Sequence, residues 1–173
     1  MRGGKGLLSS LIACRSGAAA VEFAFVAWPF FLLLFGILEI GVLTFQSAAM
    51  DGATRAAARQ LRTGQVQSSA NALATFQTAF CNNLVGASCA NFYFDVRSFG
   101  DFTQIALPTI TFDSSGKPSN ASFAPGGSGS VMTVRVYYNY PFMTPIIGNL
   151  MGGTSNTVLL VSTAVFQAEP FVP

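Results

Sequence analysis

The sequence predicts an α+β protein: one long N-terminal transmembrane helix that continues into a head carrying a small antiparallel sheet of three to four strands. Three observations predict it. Residues 18–45 contain 22 apolar residues of 28. A helical pattern rich in small residues runs on from there to about Thr63. Beyond residue 91, short segments alternate apolar and polar side chains between turn-forming stretches. Alternation with period two marks strands, and spacing of three and four marks helices. The implied divisions are a basic leader at 1–17, a transmembrane helix at 18–45 and an extracytoplasmic head at 46–173.

The leader holds Arg2, Lys5 and Arg15 and no acid. The span follows with only two charges, Glu22 and Glu39, and an uncharged run of 16 residues from Phe23 to Leu38. As a helix, 28 residues reach about 42 Å, more than the ~30 Å of a hydrocarbon core. The basic residues lie on its N-terminal side, which places the N-terminus in the cytoplasm and the head outside. An ordinary secretory signal fits less well. Its apolar core is shorter and its small-residue cleavage site follows that core, whereas Gly17, Ala18, Ala19 and Ala20 precede it here. Pro29, inside the span, removes one helix hydrogen bond.

The helix continues through Ala48, Ala49, Gly52, Ala53, Ala56 and Ala57, a small face suited to close packing. Asp51 and Arg55 have the spacing of an i,i+4 ion pair, while Arg55, Arg59 and Arg62 share one face, read as solvated or as facing lipid headgroups. Gly64 is the expected stop. A second helix is expected from a Ser68–Ser69 cap to about Leu84, with Leu73, Phe76, Phe80 and Leu84 on one side. Strands are expected at Phe92–Val96, at Met132–Tyr138 and, as the central strand, at Val158–Phe166, with a weaker fourth near Phe102–Phe112. Loops at 113–120 and 125–130 separate them, and the apolar insert Pro141–Met151 is expected to be a short helix covering the sheet, or an exposed partner patch.

Composition excludes several chemistries. Only 9% of the 173 residues are charged, against about 25% in an ordinary soluble domain. The formal charge of +2 gives no basis for nucleic-acid binding. Without histidine there is no Ser-His-Asp triad and no His-ligated zinc. Gly126-Gly127-Ser128-Gly129 lacks the Lys-Ser/Thr ending of a nucleotide loop. Asp95, Asp101 and Asp113 are isolated, and Arg97 beside Asp95 reads as a surface cross-strand pair. No catalytic residue, cofactor, metal or small-molecule substrate is expected.

The junction Arg15-Ser16-Gly17-Ala18-Ala19-Ala20-Val21-Glu22-Phe23 resembles the processing site of type IV prepilins and pseudopilins. The longer run through Pro29 and Gly36-Ile37-Leu38-Glu39-Ile40-Gly41, with Arg55 to Arg59 beyond it, resembles the TadE family, pseudopilins of the tight-adherence (Flp-type) pilus apparatus. Trp28 beside Pro29 departs from that Leu-rich pattern. The resemblance implies a pilin-like, non-enzymatic protein of the bacterial inner membrane. Its partners would be a prepilin-type peptidase, other pilin-like subunits, inner-membrane assembly proteins and the lipid bilayer. It also implies cleavage between Gly17 and Ala18, with Phe23 next to Glu22 in the recognition motif. Cleavage would leave six basic against seven acidic residues, a formal charge of −1.

Glu22 then has two readings. As a carboxylate in the first helical turn it faces the positive end of the helix dipole and reaches the headgroups. By the resemblance, it pairs with the new α-amino group of a neighbouring subunit or marks the substrate for the peptidase. Glu39, near the far interface, is read as a water-accessible carboxylate. With Cys14 removed in the leader, Cys81 and Cys89 remain as an even pair in an oxidising compartment and are expected to form a disulfide. Zinc with two thiols and redox chemistry without a Cys-x-x-Cys spacing fit less well. The rival functional reading is an uncleaved, single-pass scaffold of the envelope; an anchored enzyme ranks below it.

Overall fold

A computed structural model describes residues 15–113 and 116–171. Arg2, Lys5 and Cys14 of the leader, and Ser114 and Ser115 of the loop at 113–120, lie outside these described residues. The element order is α1 (Arg15–Arg62), α2 (Ala72–Cys81), β1 (Phe92–Phe99), β2 (Val131–Pro141), α3 (Pro145–Gly152) and β3 (Thr157–Gln167). The class is α+β, as the sequence predicts.

The first helix runs unbroken for 48 residues, with Pro29 inside it, and so is about 72 Å long. Its two halves live in different surroundings. Residues 17–38 are almost wholly uncovered, with Phe23 71% and Phe25 75% exposed. From Glu39 onward one face is buried, through Gln46, Met50, Ala53, Ala57 and Leu61. These positions recur every three, four or seven residues, the spacing of one helical face. The helix ends at Arg62, and Gly64 follows at φ +80°. That left-handed conformation suits a glycine just past a helix end.

The sheet has three antiparallel strands in the order β1-β2-β3. The central strand is therefore β2, not the Val158–Phe166 segment, which forms the β3 edge. Between Val131 and Tyr138 every β2 residue is buried, whereas β3 alternates, with Leu159, Val161 and Val165 exposed. Near-continuous apolarity in β3 thus reflects one face on the core and one bare face, not burial on both sides. Met132, Val134, Val136, Tyr138 and Tyr140 of β2 face the helices, joining Met50, Phe76 and Phe80 in one core.

The opposite face of β1 and β2 is covered by the long connection between them. The expected fourth strand at Phe102–Phe112 does not form. Phe102–Gln104 is a single 3-10 turn, capped by the Asp101 carboxylate on Thr103 and Gln104 N–H groups, and Phe112 makes one isolated bridge to Pro118. Pro108 lacks the N–H a ladder needs. Instead Val96 pairs with the backbone of Ser122 and Ala124, which closes the β1 edge. The second helix is shorter than the periodicity suggests. It is capped by Asn71, whose side chain accepts from Ala74 N–H, and it stops at Cys81 before Asn82 and Asn83.

Candidate functional site

The residues singled out in the sequence fall at two separate places. Gly17, Ala18, Glu22 and Phe23 occupy the first turns of α1, all exposed, and among the described residues Glu22 has no hydrogen-bond or ion-pair partner. Cys81 and Cys89 lie in the head. They meet as a disulfide across the seven residues between them, with Cα atoms 5.7 Å apart. The bond ties the end of α2 to the 3-10 turn Cys89–Asn91 that leads into β1.

Where the uncovered half of α1 meets the head, Glu39 forms a junction. This overturns the water-accessible reading: its residue is only 4% exposed. One carboxylate oxygen accepts from the Tyr140 hydroxyl at 3.1 Å and from Met143 N–H at 2.9 Å; the other accepts from Thr144 N–H at 2.9 Å. The last two donors sit in the turn just before α3, whose N-terminal residue is Pro145. A single side chain therefore binds the stem to the end of β2 and to the start of α3. Burial without partners would be costly for a carboxylate, and three donors offset that cost. Sequence reasoning placed Glu39 at the far interface but missed the clamp. The available signal was an acid among apolar residues, which ordinarily has a specific partner. That the partner is Tyr140, 101 residues away, was not visible in local pattern.

Asp51 also differs from expectation. Its partner is the Ser162 hydroxyl of β3, not Arg55, which is exposed. Of the three arginines beyond the span, Arg62 pairs with Glu169 at 2.6 Å, and both are about half exposed. Glu39, Asp51 and Arg62 therefore stitch α1 to the head at its lower, middle and upper levels.

A second polar cluster lies on the sheet face away from the helices. Asp95, 1% exposed, stands opposite Arg135 in the β1–β2 register. It accepts from Arg135 at 2.6 Å, from Arg97 at 3.0 Å and from Ser122 N–H at 2.8 Å. Arg97 donates onward to Asn120 O and Arg135 to Pro108 O. The Asp95–Arg97 pair is thus the edge of a buried network, not a surface pair. Every outer partner belongs to the long 100–130 connection, so the network fastens that connection to the sheet.

These features define a class: an α+β head fastened rigidly to one helix whose free half is long and apolar enough to cross a membrane. The most apolar 18-residue window of that helix has mean hydropathy 2.2 and is 6% buried. Residues 17–59 match the family model described as TadE-like protein, which bears out the resemblance over the stem. No curated protein and no solved structure matches the chain.

Proposed function

We propose that the protein is a non-enzymatic minor pseudopilin that takes part in assembling a tight-adherence pilus or its secretion apparatus. The observation that carries this is the coincidence of the TadE-like match, residues 17–59, with the uncovered helix and its motif Gly17-Ala18-Ala19-Ala20-Val21-Glu22-Phe23. A helix of this kind, anchored at one end to a head, suits lateral packing with other pilin-like helices in the inner membrane. The leader charges Arg2, Lys5 and Arg15 support a cytoplasmic N-terminus and a periplasmic head.

A prepilin-type peptidase would cut between Gly17 and Ala18 on the cytoplasmic side. Glu22, exposed and unpaired within the described chain, is then available to the new α-amino group of a neighbouring subunit. Intact mass of the membrane-extracted protein tests the proposal. A chain starting at Ala18 is expected in cells that contain the peptidase. A chain starting at Met1 in those cells would remove the processing step and favour the uncleaved scaffold. For Glu22→Ala, processing or recovery of the protein with pilus components should fall; unchanged cleavage and assembly would remove the role given to Glu22.

A further inference from the structure

The insert between β2 and β3 does more than cover the sheet. Its helix α3 buries Ile147 and Gly148 but turns Ile146, Leu150 and Met151 outward, and Met143 in the turn before it is exposed as well. Leu150, at 82%, is the most exposed large apolar side chain among the described residues. The segment from Pro141 to Thr157 contains no charged residue. Its position is the unusual part. Thr144 and Ile146 line a groove of about 310 Å³ together with Trp28, Phe31, Leu32 and Phe35 of α1. Ile147 lies beside Gly36, where a side-chain carbon at that glycine would touch it. The insert therefore reaches back along the uncovered half of the stem, below Glu39.

We propose that residues 143–151 are a membrane-dipping finger whose outward face is covered by outer-leaflet lipid of the same bilayer the stem crosses. The proposal rests on the membrane-span reading of α1. Phe35 and Phe31 lie four and eight residues below Glu39, about 6 and 12 Å along the helix. A finger beside them sits at the depth of interfacial apolar segments, which enter the headgroup and acyl boundary by about 5–10 Å. Its apolar face is continuous with the exposed Phe and Leu side chains of the stem, so one solvent covers both.

Several backbone groups of the insert have partners within the protein, as lipid requires. Glu39 takes the Met143 and Thr144 N–H groups. Phe142 N–H donates to Asn156 O, and the Asn156 side-chain amide donates back to Phe142 O. Gly148 N–H donates to Thr144 O.

Depth-dependent fluorescence quenching tests this in vesicles carrying the full-length protein. Trp28 is the only tryptophan, so the unaltered chain reports on the span itself. Trp28→Phe combined with Leu150→Trp reports on the finger, with Met143→Trp as a second site. Trp28→Phe combined with Phe102→Trp reports on the opposite end of the head, where Phe102 is exposed. Phosphatidylcholine brominated near the upper acyl chain should quench the finger sites and leave the Phe102→Trp site unquenched, as expected for residues at the headgroup and acyl boundary. Aqueous iodide should quench the Phe102→Trp site but spare the finger.

Finger sites open to iodide and untouched by brominated lipid, with Trp28 still quenched, would overturn the finger and leave the span intact. A Trp28 that brominated lipid does not reach would overturn both. Protection of the finger only at high protein-to-lipid ratio would assign the face to a second copy and overturn the lipid assignment.

Discussion

Glu39 illustrates how one carboxylate decides where a stem ends and a head begins. Its three donors come from β2 and the turn after it, so removing the charge unties two elements at once. Hydrogen bonds to an ionised group contribute about 1.5–3 kcal/mol each, neutral ones less. Glu39→Gln should therefore lower head stability by about 1–3 kcal/mol, and Tyr140→Phe by about 1 kcal/mol, in urea unfolding followed by near-ultraviolet circular dichroism. Equal midpoints for Glu39→Gln and the unaltered protein would refute the clamp.

Two tyrosines of β2, on opposite faces of the sheet, supply a pH signature. Burial pushes Tyr137 and Tyr140 up to about 12 from 10, and the bond to Glu39 adds to the effect on Tyr140. Because the folded value is raised, this stabilisation is complete below pH 10 and is lost as pH climbs through 12. An alkaline titration should show tyrosinate absorbance rising together with loss of tertiary dichroism across that window. Full ionisation near pH 10 with the head still folded would contradict it. Residue identity and spacing single out Gly17, Ala18, Glu22 and Phe23 as one motif, and the TadE-like match covers those positions. The sequence could not expose Glu39–Tyr140 or Asp51–Ser162, because each pair is made by chain segments more than 100 residues apart.

At the scale of elements, two fastenings help hold the head in register. The Asp95 network joins β1, β2 and the long connection. Asp95→Ala would leave Arg135 buried without its carboxylate, a change that typically costs about 3–5 kcal/mol. The expected result is a head that unfolds at markedly lower urea and loses protection at Pro108–Ser122 to limited proteolysis. A midpoint within error of the parent would show the network to be dispensable. The disulfide closes a short loop, and loop entropy assigns it about 2–3 kcal/mol. Cys81→Ser with Cys89→Ser should lower the thermal midpoint, as should reductant on the unaltered protein.

Elements themselves were largely readable: α1, β1 and β2 follow the apolar periodicity of their sequences. The errors have physical causes. Asn71 outcompetes Ser68 and Ser69 as the α2 cap because its carbonyl reaches Ala74 N–H, while both serine hydroxyls bond the preceding turn. The fourth strand failed because β1 found its edge partner at Ser122–Ala124 instead. Edge and central strands of similar apolarity were confused because residue type alone does not say which face a neighbour covers.

The whole molecule is a head built directly along its stem. The sequence conveyed that plan because a charge-poor block of that length has few other uses, and the TadE-like match coincides with it. Several of the chain's few charges are held inside it. Asp95, Arg97 and Arg135 are taken up internally, Glu39 by the clamp and Asp51 by Ser162. Fewer still are therefore left at the surface of the head. A further consequence follows from α1 passing from its uncovered to its covered half without a break. No swivel separates the head from the uncovered half of the stem, so the azimuth of one dictates the azimuth of the other. Each helical residue turns the axis by about 100°. A single-residue insertion between Phe35 and Glu39 would therefore wind every head about a third of a turn around its stem, presenting a different profile to whatever stands beside it.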